Sequence, residues 1–134
     1  METVFWVDKV AKDVVGRWNV PLYRTEMGVG ASGVPHVGSA GDAVRNYTMT
    51  LGIQDQGKKS ELIAFSDDRD GLRKVPTGFP EKLEKELGKP VSLIPDLSGC
   101  HSSFALHFSS QLAEAFKSLS LVFTLKRGDE EYRK

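Results

Sequence analysis

Apolar residues at Val4, Val7, Val10, Ala11, Val14, Val15 and Trp18 recur at helical spacing, with Asp8, Lys9, Lys12 and Asp13 on the opposite side. The pattern predicts an amphipathic helix over 4–18 that ends near Gly16, with Pro21 marking the break. Residues 22–27, Leu-Tyr-Arg-Thr-Glu-Met, read as a short strand running into a glycine-rich turn. A second helix is expected from about His36 to Gln54, closed by polar residues and Gly57. Residues 61–66, Glu-Leu-Ile-Ala-Phe-Ser, form a continuous apolar run of the length expected for a buried parallel strand. From 103 onward Phe104, Phe108, Leu112, Ala115, Phe116 and Leu119 return to helical spacing, more as core packing than as a binding face. Leu121 to Leu125 is expected to be a third strand, and 128–134 to begin another helix.

Strands alternating with helices predict a parallel α/β sheet. Between the second strand and the Phe104 helix lies a long stretch, 71–103, with Pro76, Pro80, Pro90 and Pro95 among Gly71, Gly78, Gly88 and Gly99. It reads as loop interrupted by one short charged helix at about 80–87, in which Glu81 to Glu86 form a solvated face. Three strands make a thin sheet, since doubly wound folds carry about five or six. Because the chain also stops at Lys134 without a turn or closing strand, the expectation is the first part of a larger fold.

Composition narrows the setting. The 134 residues suffice for one domain and one core, and 18 basic residues balance 18 acidic ones, so no global basic field points to nucleic acid. The N-terminus has no basic region ahead of an apolar run, and no stretch approaches the roughly 20 apolar residues that span a bilayer. A single cysteine forms no internal disulfide and fits a reducing cytoplasm, which is the expected location.

The chemistry-bearing residues fall in three places. Gly30-Ala-Ser-Gly-Val-Pro-His-Val-Gly-Ser39 sits where a strand passes into a helix, and a helix N-terminus attracts phosphate through free N–H groups and its dipole. Gly28, Gly30, Gly33 and Gly38 remove side chains that would keep a nucleotide from the backbone, and His36 adds a donor; the competing reading is a plain βα turn with an exposed histidine. Asp67, Asp68 and Asp70, with Arg73 and Lys74, follow the second strand. They are either a solvated loop with internal ion pairs or the site of a carboxylate that orients substrate in the same cleft as the glycine turn. Asp96, Cys100, His101 and His107 place four potential zinc ligands within twelve positions. If all four bind, the shell is closed and the metal structural; otherwise they are a free cysteine beside two histidines.

Taken together these motifs resemble the class I lysyl-tRNA synthetases. Gly28-Val-Gly-Ala-Ser-Gly-Val-Pro-His-Val-Gly-Ser39 resembles that family's HIGH segment, and Ser66-Asp-Asp-Arg-Asp-Gly-Leu-Arg-Lys-Val-Pro76 its Asp-Asp-x-Asp-x-x-Arg-Lys-Val-Pro stretch. Leu87 to Phe108 resembles the segment that follows, and Phe5-Trp-Val-Asp-Lys-Val-Ala11 the N-terminal His-Trp-Ala-Asp helix. The resemblance covers nearly the whole chain in order. It implies a Rossmann-like parallel sheet of the HIGH-motif nucleotidyltransferase type, only its first half, with a zinc-stabilised loop; residues 1–134 are the N-terminal portion of a catalytic domain. It implies activation of lysine by ATP with Mg2+ and transfer to tRNA(Lys), with no membrane involved. The implied roles are catalytic for His36 and Ser39, ATP and lysine binding for Gly28, Gly30, Ser32, Gly33, His36, Gly38 and Ser39, and structural Zn2+ binding for Asp96, Cys100, His101 and His107.

Several positions depart from the family pattern. Ser39 stands for Asn or Thr, Ala31 for the common Pro, Gly30 for a lysine-contacting Thr, and Phe5 for His. No KMSKS-like loop occurs in these residues, so the segment is expected to be inactive by itself. Two alternatives remain: another HIGH-type nucleotidyltransferase such as a pantothenate synthetase-like enzyme, and a non-catalytic zinc-stabilised module that binds RNA or protein.

Overall fold

The computed structural model describes residues 5–134. Helix α1 spans Trp6–Arg17, strand β1 Tyr23–Val29, helix α2 Val37–Asp55 and strand β2 Ser60–Ser66. After two 3-10 helices, Glu81–Glu86 and Val91–Leu93, come helix α3 (Phe104–Ser118), strand β3 (Thr124–Arg127) and helix α4 (Gly128–Glu131). The three strands pair in parallel in the order β1-β2-β3, with Tyr23 opposite Ser60 and Ile63 opposite Thr124. This is the α/β parallel arrangement expected from the alternating pattern.

The main core fills the space between one sheet face and helices α2 and α3. Met27 and Val29 of β1, Leu62 and Ala64 of β2, Ala43 of α2, and Leu112 and Phe116 of α3 form one buried cluster. Burying large apolar side chains is worth about 1.5–3 kcal/mol each, which makes this layer the principal anchor of the site above it. Helix α1 is held separately: Ala11 packs with Tyr23 and Ile53, and the Tyr23 hydroxyl donates to the Trp18 carbonyl. Of the expected stripe on α1, Val7 and Ala11 are buried, Val14 and Val15 partly so, whereas Val10 and Trp18 are exposed; Val4 lies outside the described residues. No helix among the described residues is long and apolar enough to cross a membrane.

Three elements differ from expectation for identifiable reasons. β1 continues to Val29, taking in Gly28, because Gly28 and Val29 pair with Phe65 and Ser66 of β2. The third strand starts at Thr124 instead of Leu121. The chain first turns at Ser120, where φ is 59°, and Leu121 donates its N–H to the Phe116 carbonyl, so Leu121 enters the core before any strand pairing. The short charged helix is a 3-10 helix in which Leu83 alone is buried.

The long loop has its own core. Leu72, Leu83, Val91 and Ile94 pack with Ala31, Phe104 and Phe108. Leu72 exchanges backbone hydrogen bonds with the 88–89 segment, its N–H reaching the Lys89 carbonyl at 2.9 Å and its carbonyl accepting from Gly88 at 2.9 Å. A side chain at Gly71 would crowd that crossing, since a Cβ there would lie 3.0 Å from the Gly88 carbonyl oxygen.

Candidate functional site

A cleft of about 810 Å³ opens beyond the carboxyl ends of β1 and β2. Ligands in open parallel sheets collect at this edge. Gly28, Gly30, Ser32, Gly33, His36, Gly38 and Ser39 all line it, facing Asp67, Asp70, Arg73, Lys74 and Phe79 from the following loop. The structure therefore brings the glycine turn and the acidic loop to one site, as expected from their places at adjacent strand ends.

His36 stands just outside α2 as its N-cap, in extended backbone geometry, and its Nδ1 accepts the Gly38 N–H at 3.1 Å. A capping side chain satisfies one of the free donors at a helix start. The consequence is chemical: with the Nδ1 lone pair engaged, the neutral ring carries its proton on Nε2 and presents that N–H as a donor. Gly38 is tied to the same ring, because a Cβ there would lie 2.9 Å from its Cε1 and Nδ1. Gly33 meets the Pro76 side chain at 3.6 Å by the same measure, whereas Gly30 has open space.

The three aspartates separate. Asp67 lines the cleft beside Gly28, where a Cβ would come within 3.2 Å of its Oδ2. Burial, and then the like charges of Asp70, Asp68 and Glu26, push its carboxyl above the usual range. Asp70 also faces the cleft, 4.0 Å from the Arg73 guanidinium. Asp68 turns away and is 3% exposed; its Oδ1 accepts the Asp129 N–H at 2.7 Å. Burial raises the Asp68 carboxyl against the opposing effect of that bond. Nothing in the run Asp-Asp-Arg-Asp marks the middle carboxylate as structural, and the sequence reading left all three alike. Asp42 and Phe79 also line the cleft without having been singled out.

A second cluster lies where the loop enters α3. The ligand atoms of Asp96, Cys100, His101 and His107 lie within 4.8 Å of one another. Cys100 Sγ is 3.1 Å from His101 Nδ1 and 3.2 Å from His107 Nδ1, and His107 Nδ1 is 3.3 Å from Asp96 Oδ1. Zinc bond lengths in a tetrahedron give ligand-to-ligand edges of roughly 3.3–3.6 Å, and the cluster's distances fall on either side of that range, His101 Nδ1 lying 4.0 Å from Asp96 Oδ2. Asp96 is held by N–H groups of Cys100 and His101, each at 2.9 Å, and by the Ser98 hydroxyl at 3.0 Å. Burial opposes its ionisation, but the His101 N–H, the Ser98 hydroxyl and N–H and the Cys100 thiol outweigh it and hold the carboxyl well below its ordinary value. The donor set, one carboxylate, one thiol and two imidazoles gathered at one point, is of the chemical kind that zinc takes.

A family model described as tRNA synthetases class I (K) matches residues 4–134. The chain belongs to this family. Among curated relatives it is 44% identical over 133 residues to the lysine–tRNA ligase of Cenarchaeum symbiosum (strain A), which covers 96% of this chain and 25% of that protein. It is 35% identical over 132 residues to the lysine–tRNA ligase of Pyrococcus furiosus, covering 98% of this chain and 25% of the relative. For that of Methanocaldococcus jannaschii the figures are 33% over 129 residues, 96% and 24%. The chain thus spans about a quarter of the length of the curated relatives it matches.

Class I tRNA synthetases use ATP and Mg2+. The departures from the synthetase pattern have local explanations in part. Ala31, in place of the common proline, is buried in the loop core against residues such as Leu72, so the turn is anchored by packing. Phe5 packs its ring against Trp6 at 6.0 Å and stays half exposed.

Proposed function

We propose that the protein carrying these residues is a lysine–tRNA ligase, which activates lysine with ATP and transfers it to tRNA(Lys) in the cytoplasm. In this reading residues 1–134 are the N-terminal portion of its catalytic domain and supply the HIGH half of the ATP and lysine site. The carrying observation is convergence: every residue of the turn assigned to ATP or lysine lines the same cleft as Asp67 and Asp70. The names of the relatives supply the amino acid.

The reaction joins the lysine carboxylate to the α-phosphate of ATP with loss of pyrophosphate, and a tRNA ribose hydroxyl then takes the lysyl group as the mixed anhydride breaks and AMP leaves. Such chemistry asks the protein for position and charge stabilisation. His36 donates from Nε2 to phosphate oxygens as their charge develops, next to the positive end of α2. Ser39 adds a hydroxyl donor, Gly38 lets adenine approach the backbone, and Gly28, Gly30, Ser32 and Gly33 shape the remaining wall. Mg2+ bound with ATP would neutralise phosphate charge. Asp67 and Asp70, not Asp68, are the carboxylates available to orient substrate. Asp96, Cys100, His101 and His107 hold Zn2+ as a closed structural shell that fixes the loop on α3.

The test is ATP–pyrophosphate exchange by the full protein. Exchange that depends on lysine is expected. Exchange with a different amino acid, or zinc uptake without ATP binding, would overturn the reading.

A further inference from the structure

His107 has two faces with different neighbours. Its Nδ1 looks into the Asp96–Cys100 cluster, 3.3 Å from Asp96 Oδ1, 3.2 Å from Cys100 Sγ and 3.0 Å from Ser98 Oγ. Its Nε2 lies 3.0 Å from the side-chain amide of Gln111, one turn further along α3. Residues four apart on a helix share a face, so this contact is built into α3 itself.

A neutral imidazole has one N–H and one lone pair. If Nδ1 gives its lone pair to a metal, Nε2 must carry the proton and needs an acceptor. If Nδ1 instead carries the proton and donates toward Asp96, Nε2 needs a donor. A glutamine amide serves either state by a half-turn, presenting oxygen in the first and nitrogen in the second. The structure has the amide nitrogen against Nε2, which pairs with the Nδ1–H form.

We propose that Gln111 is a positioning residue for the cation cluster: its amide sets the tautomer of His107, and its carbonyl oxygen holds the proton on Nε2 when Nδ1 binds zinc. This rests on the zinc reading of the four ligands. Outer partners of metal-binding histidines change affinity by about 10–100-fold, and an exposed glutamine belongs at the lower end.

The experiment measures zinc affinity by chelator competition in the full protein, comparing the native chain with Gln111→Leu and Gln111→Glu. Long-range 1H–15N correlation of the His107 ring reports the tautomer directly. The expected result is about tenfold weaker binding for Gln111→Leu. Binding by Gln111→Glu, an acceptor only, should be at least as tight as native. The loaded native ring should be protonated at Nε2. Equal zinc affinity in native and Gln111→Leu proteins, or a loaded ring protonated at Nδ1, would overturn the assignment to Gln111 alone. Failure of the native protein to bind zinc would instead defeat the metal reading on which it rests. Thermal melts of the zinc-free proteins check that the leucine variant folds as the native chain does.

Discussion

Gly38 and His36 hold each other in place: the Gly38 N–H bonds to His36 Nδ1 at 3.1 Å, and a Cβ on Gly38 would lie 2.9 Å from the same ring. The glycine therefore constrains the histidine directly, in addition to any space it leaves for a nucleotide. Gly38→Ala should displace the imidazole and lower lysine-dependent pyrophosphate exchange in the full protein by about a hundredfold, the scale of an ångström of misplacement. Exchange close to the native rate would show that the ring does not need this position.

His36 serves two ends, and their magnitudes differ. As N-cap of α2 it contributes about 1 kcal/mol to stability. As a phosphate donor its loss should cost about 10²–10³-fold in exchange rate. His36→Ala is thus expected to melt only slightly below native while losing most activity. Normal exchange after this substitution would remove His36 from the reaction.

The helical period located α3, and the continuous apolar run located β2, because their apolar residues face the main core. The glycine turn was recognisable as a wall of the cleft because glycines at a strand-to-helix junction leave the backbone open. Asp68 was not separable from Asp67, since its role comes from Asp129, 61 residues away. β3 was misplaced because Leu121 and Phe123 pack into the core like strand residues without pairing as one. The Gln111 contact needs the helix geometry and the ring orientation together, and neither is written in the spacing of the ligands.

Gly52 offers a stability test remote from the cleft. A Cβ at this position of α2 would collide with Cγ1 of Val7 on α1. Gly52→Ala should destabilise the protein by about 1–3 kcal/mol, the usual cost of overpacking. Val7→Ala removes the obstructing methyl groups, so the double variant should recover part of that loss. If Gly52→Ala costs the same in the native and Val7→Ala backgrounds, the helices do not meet there.

Asp68 gives stability a pH dependence of definite sign. Its folded carboxyl titrates above the ordinary value, burial being the main cause. Between the unfolded and folded values the native state holds more protons than the unfolded one, so stability falls as pH rises through that window. Asp68→Asn keeps an oxygen to accept the Asp129 N–H but has no proton to lose. The stability difference should therefore move in favour of the variant as pH rises above the ordinary aspartate range in denaturant melts. A constant difference would mean that Asp68 titrates alike in both states.

Metal removal separates the two roles left open for Cys100. The loop carrying Asp96, Cys100 and His101 leads into α3 through Ser103, whose hydroxyl accepts the Leu106 N–H at 3.1 Å. Phe104 and Phe108 of the same first turns are buried in the loop core. A closed zinc shell at this junction ties the loop to the helix, so chelation should lower the melting temperature of the native protein. Cys100→Ala removes the thiolate ligand and should melt lower even with zinc present. Adding a chelator to that variant should then lower its melting temperature little further, because the site is already broken. If chelator shifts both proteins equally, the stabilising ion sits elsewhere. If it shifts neither, Cys100 is a free thiol and the loop is held by its apolar core.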